Sequence, residues 1–379
     1  MAIRFPTWTG RAALAVVGLF ILLVAVSSWL HANAIRAELM VPLAASTDFD
    51  LVVESNEAGR ATVNRTPASD KEGIWGLEGQ RAYAQLSTIV RVTEMTVERG
   101  IRALESEFAP GDAARIDADA FAGNPETAHG FGWESRRIPS DIGPHPAWFV
   151  DGRRATWVIF VHGRGDDRLE ESLRILPSLV EQGFPVLSIA FRNDVGATSN
   201  ESGLRYWGLE EWRDLDAAVG LGVLQGAKDF VVIGSGFGTS VVSTFLHESE
   251  NVGLVKGVVF DSPILDIEAV AIRYAQERGT PAPIAWLGRK LVSLRFGMDW
   301  NELDQFDRTD QFDVPILLLY GAKDPHTDVS DFERFANLMP DLVVTERFEQ
   351  AGHTDLWNID STRYEEAISE FLLLTAGSE

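Results

Sequence analysis

The stretch Val231–Ser240, reading Val-Val-Ile-Gly-Ser-Gly-Phe-Gly-Thr-Ser, predicts an apolar strand that ends in a glycine-pinched turn and enters a helix at once. In the pattern G-x-S-x-G such a turn lifts a serine hydroxyl above a sheet, and the flanking glycines let neighbouring backbone approach. Here Gly234 and Gly238 hold the outer positions, and Gly236 stands at the centre, where a serine would be. Shifting the register to use Ser235 puts Ile233 and Phe237 where the turn needs glycine. Alternation along a strand would also send the Ser235 side chain to the opposite side. The turn is therefore expected without its nucleophile.

Around this turn, strands and helices alternate. After Arg154, apolar runs of strand length occur at Trp157–His162, Val186–Phe191, Phe230–Ile233, Leu254–Phe260, Pro315–Tyr320 and Leu342–Phe348. Helical segments lie between them, at Leu169–Gln182, Leu209–Leu224, Thr239–Glu248 and Val329–Leu338. This order predicts an α/β fold with a mostly parallel, doubly wound sheet, and chemistry at the carboxyl ends of its strands. The glycine turn His162-Gly163-Arg164-Gly165 follows one strand end, Asp324 another and His353 a third. Nucleophile position, acid, histidine is a known chain order for a catalytic triad. Asp324 would fix the imidazole tautomer and His353 would act as general base. The N–H of Phe237, following the nucleophile position, would face a developing oxyanion.

Other residues read as structural. Ser262 follows a strand end without an elbow, and His326 reads as a loop histidine. A metal set of His162, Asp166 and Asp167 has suitable ligand types, but no paired-histidine helix accompanies it. No P-loop or complete dinucleotide turn occurs, so neither metal nor cofactor is expected. The net charge of −23 argues against a nucleic-acid partner, and the absence of cysteine removes disulfides and thiolate chemistry.

Residues 12–30 carry no charge and are long enough to cross a hydrocarbon core. This predicts a membrane anchor over 1–36, and Trp29 stands where an interfacial residue would. Arg4, Arg11 and the amino terminus outweigh Arg36, which predicts a single-pass protein with a cytoplasmic N-terminus and an extracytoplasmic domain. Cleavage at Ala32-Asn33-Ala34 would instead give a secreted form. Residues 37–151 read as a membrane-proximal, mostly β accessory region interrupted by one helix, Val92–Glu107. Residues 152–379 form the α/β domain, with a helical insertion at 264–313. Trp286, Phe296 and Trp300 of this insertion can line an apolar pocket over Gly236 or form the insertion's own core.

The span from Ala155 to Leu374 resembles the α/β-hydrolase superfamily. It does so through Val161-His162-Gly163-Arg164-Gly165, Phe191-Arg192-Asn193-Asp194, Leu209–Asp214, the elbow Gly234–Gly238, Phe260-Asp261-Ser262-Pro263, Gly321–Asp324, Gly352-His353 and Trp357-Asn358. With its N-terminal helix and β-rich region it is similar to membrane-anchored actinobacterial hydrolases of the prolyl-oligopeptidase-like and lysophospholipase-like branches. The resemblance implies hydrolysis of an ester, thioester or amide through an acyl-serine, with Asp324 as acid, His353 as base and the N–H groups of Arg164 and Phe237 as oxyanion hole. Gly236 departs from it at the serine. Two functions follow: a binding or scaffolding protein with lost or reduced hydrolysis, taking a small apolar, acyl or peptide-like ligand, or a hydrolase working through a His353-activated water or a substitute such as Ser235.

Overall fold

The computed structural model describes residues 7–43, 48–164 and 169–377. Helix α1 (Thr7–Ile35) is followed by a π-type turn at Arg36–Met40. Six antiparallel strands then close into a small barrel in the order β1-β2-β5-β4-β3-β6. They are β1 (Leu51–Glu57), β2 (Arg60–Asn64), β3 (Trp75–Gly79), β4 (Tyr83–Val92), β5 (Thr96–Ala103) and β6 (Ala113–Asp117). Leu51, Val53, Val63, Leu77 and Leu86 fill the interior.

The helix expected over Val92–Glu107 is instead the end of β4, a turn and β5. Apolar residues at 92, 95, 97, 101 and 104 mimic helical spacing, because one inward position of the strand is a charged residue. Arg99 is fully buried, and its guanidinium donates to the carbonyls of Ser87 (2.9 Å), Ser69 (3.2 Å), Lys71 (2.6 Å) and Gly73 (2.5 Å). An arginine satisfied by carbonyls hides the two-residue period that apolar residues would have displayed.

After the short α2 (Pro125–His129) comes an eight-stranded sheet ordered β14-β13-β12-β11-β9-β10-β8-β7. Its strands are β7 (Glu134–Ser140), β8 (Gly143–Val150), β9 (Thr156–Val161), β10 (Val186–Ile189), β11 (Asp229–Ser235), β12 (Val255–Asp261), β13 (Ile316–Gly321) and β14 (Val343–Phe348). Neighbours from β10 to β14 pair in parallel, while β8 runs against both β10 and β7. The sheet therefore reaches back to Glu134, and the boundary expected at 151/152 falls inside it. The β7–β8 hairpin carries Pro139, Pro144 and Pro146, which a strand at or near a sheet edge accommodates.

Helices α4 (Trp212–Leu224), α5 (Phe237–Glu248) and α8 (Val329–Leu338) cover one face. On the other lie α3 (Leu176–Glu181), α9 (Leu356–Ile359) and α10 (Ser361–Thr375). The insertion between β12 and β13 carries α6 (Ile267–Glu277) and α7 (Ala282–Phe296). Buried Asn358 joins barrel and sheet domain, donating to the carbonyls of Ile74 (2.8 Å) and Ala118 (2.7 Å) while accepting from Arg174 (3.1 Å).

Asp214 of α4 ties the hairpin to the sheet. It accepts from the half-buried Ser140, from buried His145 at 3.1 Å and from the buried Arg192 guanidinium at 2.9 Å. Burial alone would raise its pKa, but hydrogen bonds from His145 and Arg192 hold it well below the usual carboxylate range. Its stabilisation is therefore complete above the unfolded value near pH ~4 and is lost as pH falls below that. Asp214→Ala should cost about 3–5 kcal/mol at pH 7 in urea unfolding, since it strands a buried arginine, and the difference should shrink on acidification.

Candidate active site

The elbow forms where the sequence places it. β11 ends at Ser235, α5 begins at Phe237, and Gly236 between them takes φ 47° and ψ −110°. Its N–H donates to Asp261 O (2.8 Å), and its carbonyl accepts from the N–H (3.1 Å) and hydroxyl (2.6 Å) of Thr239. A Cβ on Gly238 would stand 2.2 Å from Val161 O, so only glycine lets α5 cross β9 this closely. A Cβ on Gly234 would meet the Gly238 backbone at 3.0 Å.

The acid and the histidine converge on this turn. Asp324, after β13, has a fully buried side chain, and its Oδ2 lies 2.8 Å from His353 Nδ1. Its Oδ1 accepts the N–H groups of His326 (2.7 Å) and Thr327 (3.2 Å), which fixes the carboxylate plane. That leaves His353 Nε2 facing the turn, 3.3 Å from where a Cβ of residue 236 would stand. The arrangement sets an oriented His353–Asp324 pair beside an elbow that carries no side chain at residue 236. Phe237 supplies the first N–H of α5, which has no acceptor within its own helix. Phe237 and Arg164 both line the cavity above Gly236. The neighbouring Gly163 N–H is already engaged, donating to Glu171 Oε2 at 2.6 Å.

Ser235 points beneath the turn. It is buried, and its hydroxyl donates to Glu171 Oε1 at 2.5 Å. Glu171 in turn binds Arg174 Nη2 (2.9 Å), whose Nη1 donates to Thr354 O (3.0 Å), bracing the histidine loop from below. Sequence reasoning missed Glu171, Arg174 and Thr354, which lie in a helical segment and a loop with no motif of their own. Ser262 donates to Asp261 Oδ1 (2.8 Å) and accepts from Thr354 N (3.0 Å), a turn role as expected. His326 packs edge-on against His353 at 4.7 Å, and burial followed by the charge of His353 lowers its pKa. His162 is buried, engaged by Asp194 Oδ2 and Gly163 O at 2.8 Å each. Gly165, Asp166 and Asp167 lie outside the described residues.

A cavity of about 560 Å³ opens over Gly236 and His353. Its walls come from four parts of the chain: Leu39 and Leu43 after α1, Asp117 and Asp119 at the barrel exit, Ile264, Val270 and Tyr274 of the insertion, and the sheet domain. Trp286, Phe296 and Trp300 are not among the lining residues. Trp300 is buried within the insertion, Phe296 lies 5.6 Å beneath the Arg36 guanidinium, and Trp286 faces outward. These aromatics serve packing and surface rather than the pocket.

Since Ser235 serves a buried hydrogen bond, Ser235→Ala should lower stability by about 1 kcal/mol in urea unfolding and leave any ester turnover unchanged.

Residues 158–367 match the alpha/beta hydrolase family, and residues 52–117, the barrel, match a domain of unknown function, DUF8805. An esterase from Pyrococcus furiosus superimposes with a TM-score of 0.56 at 20% identity, covering 68% of this chain and 95% of that one. A puromycin-hydrolyzing peptidase from Mycobacterium tuberculosis gives a TM-score of 0.53 at 19% identity, over 84% of this chain and 47% of the peptidase. At such identities these neighbours speak for the fold alone. No curated protein matches the chain. With its matched region spanning more than half of the chain, its sheet order and its strand-end elbow, the protein belongs to the alpha/beta hydrolase family.

Proposed function

We propose that this family member is membrane-anchored, binds a small apolar, acyl or peptide-like ligand over Gly236 in a binding or scaffolding role, and has lost or strongly reduced acyl-serine hydrolysis. The observation that carries the reading is the pairing of an intact His353–Asp324 dyad with a glycine at the elbow centre. Without the serine, a triad site retains only the roughly 10³–10⁴-fold acceleration of its oxyanion hole and binding groups. The buried Ser235–Glu171 hydrogen bond speaks against Ser235 as a substitute.

One observation favours a second reading. His353 Nε2 faces the vacated side-chain space, where a water could be activated for direct hydrolysis, a general-base effect of about 10²–10⁴. The Thr354 methyl, 3.1 Å from the Cβ position of residue 236, narrows that space and favours the first reading.

Anchoring rests on the uncharged run in α1, with the positive residues before it on the cytoplasmic side. Retention of the anchor is supported by the packing of Ala32 in the main hydrophobic core and the burial of Ser28 and His31, because cleavage after Ala34 would remove all three.

The test is kcat/KM for a p-nitrophenyl ester with wild type, His353→Ala, Gly236→Ser and the Gly236→Ser/His353→Ala pair. Wild type should stay near background and be insensitive to His353→Ala. Gly236→Ser should gain about 10²-fold or more, part of the roughly 10⁶ that a complete triad supplies, and the added His353→Ala should abolish the gain. Wild-type turnover that His353→Ala removes would favour the activated water instead. Gly236→Ser should also cost about 1–3 kcal/mol of stability, because an L-residue is strained at φ 47°.

A further inference from the structure

We propose that the cavity is loaded from the bilayer: one acyl chain of a membrane amphiphile passes between the end of α1 and the α6–α7 insertion and lies over Gly236. This deepens the binding reading above and rests on it. Helix α1 has 29 residues, about 43 Å at 1.5 Å each, whereas a hydrocarbon core needs about 30 Å. The surplus is built into the protein. Residues from Leu14 to Leu30 expose large apolar side chains, while Ser28, His31, Ala32, Ile35, Leu39 and Met40 form a buried stripe. The helix therefore does not end in a free linker; its last turns are part of the hydrophobic core.

Three hydrogen bonds then lock the exit of the anchor onto the site. Trp207 Nε1 donates to Leu39 O (2.8 Å), Arg205 N donates to Met40 O (2.7 Å), and the Arg164 guanidinium donates to Glu38 O. Trp207 packs against Phe237 at 5.1 Å, so the first residue of the elbow helix touches the residue that holds the anchor. Leu39 lies nine residues beyond Leu30, at most about 13 Å farther along a helical axis. A rim containing Leu39 and Leu43 is thus held beside the headgroup layer.

The neighbouring surface suits the same environment. Helix α7 lies along α1, as the closeness of His31 to Gly288 records, and exposes Trp286 (53%) and Leu294 (82%). Arg295 stacks over Trp29 at 3.5 Å, an aromatic and a cation at the level expected for an interface. The cavity wall on this side carries Leu39, Leu43, Ile264, Val270 and Tyr274, interspersed with the charged Glu38, Arg273 and Glu277. Further charge comes from Asp117 and Asp119 on the barrel side and from Arg164, Glu171 and Arg174 of the sheet domain. An amphiphile entering chain-first can lay its chain along these apolar side chains and keep its headgroup beside Glu38, Arg273 and Glu277.

The experiment uses the full chain in nanodiscs containing a phosphatidylcholine with a diazirine on its acyl chain, followed by mapping of the cross-linked peptides. The expected result is cross-linking at Leu39–Leu43 and Val270–Tyr274, reduced at least 10-fold by Val270→Trp and by Leu43→Trp. Fluorophosphonate labelling of each blocked variant in a Gly236→Ser background reports whether the site itself is still folded. Cross-links confined to residues 12–30, equal labelling from lipid supplied in separate discs, or no effect of either block would overturn the proposal. Hydrolysis of the lipid by wild type would overturn the loss of chemistry while supporting loading from the bilayer. An inert wild type without cavity cross-links would overturn the loading proposal alone.

Discussion

Gly236 turns the chain from β11 into α5 at a positive φ, the left-handed side of backbone space where an L-residue costs about 1–3 kcal/mol and glycine almost nothing. Three hydrogen bonds hold that turn, one from its N–H to Asp261 O and two onto its carbonyl from Thr239. The turn sets where α5 starts, and hence where the Phe237 N–H points. It also sets how closely α5 crosses β9, and which space His353 faces. A serine at this position would hold the strained conformation only because its surroundings impose it. Glycine holds this turn without the strain, so the architecture around it does not depend on a side chain at residue 236.

That separation explains why the dyad is so well ordered. Asp324 is fixed by two backbone N–H groups and by His353, and none of these contacts depends on a hydroxyl at residue 236. The Glu171–Arg174 pair beneath the turn has its own partners in Ser235, Gly163 and Thr354. Each is a buried polar group that would cost free energy if left unpaired, so the floor of the site persists for structural reasons alone.

The strand and helix order of the sheet domain was legible because buried parallel strands are uniformly apolar and end in glycine-rich turns, as Trp157–His162 and Phe230–Ile233 do. The elbow, Asp324 and His353 were legible because each follows such a strand. What stayed hidden depended on tertiary partners. Arg99 inside the barrel broke the alternation of β5 and suggested a helix. No local pattern announces that Glu171 receives Ser235 or that Asn358 bridges barrel and sheet. The apolar run of α1 was evident, but the stripe it buries is spaced over residues 28–40, partly beyond the uncharged segment.

The central claim, a preserved hydrolase site without its nucleophile, is tested most directly by intact mass. Wild type and Gly236→Ser would each be treated with a fluorophosphonate, and the adduct located by peptide mapping. The account predicts no adduct on wild type and a single adduct at residue 236 of the variant. A stoichiometric adduct on wild type, at Ser235 or any other hydroxyl, would contradict it.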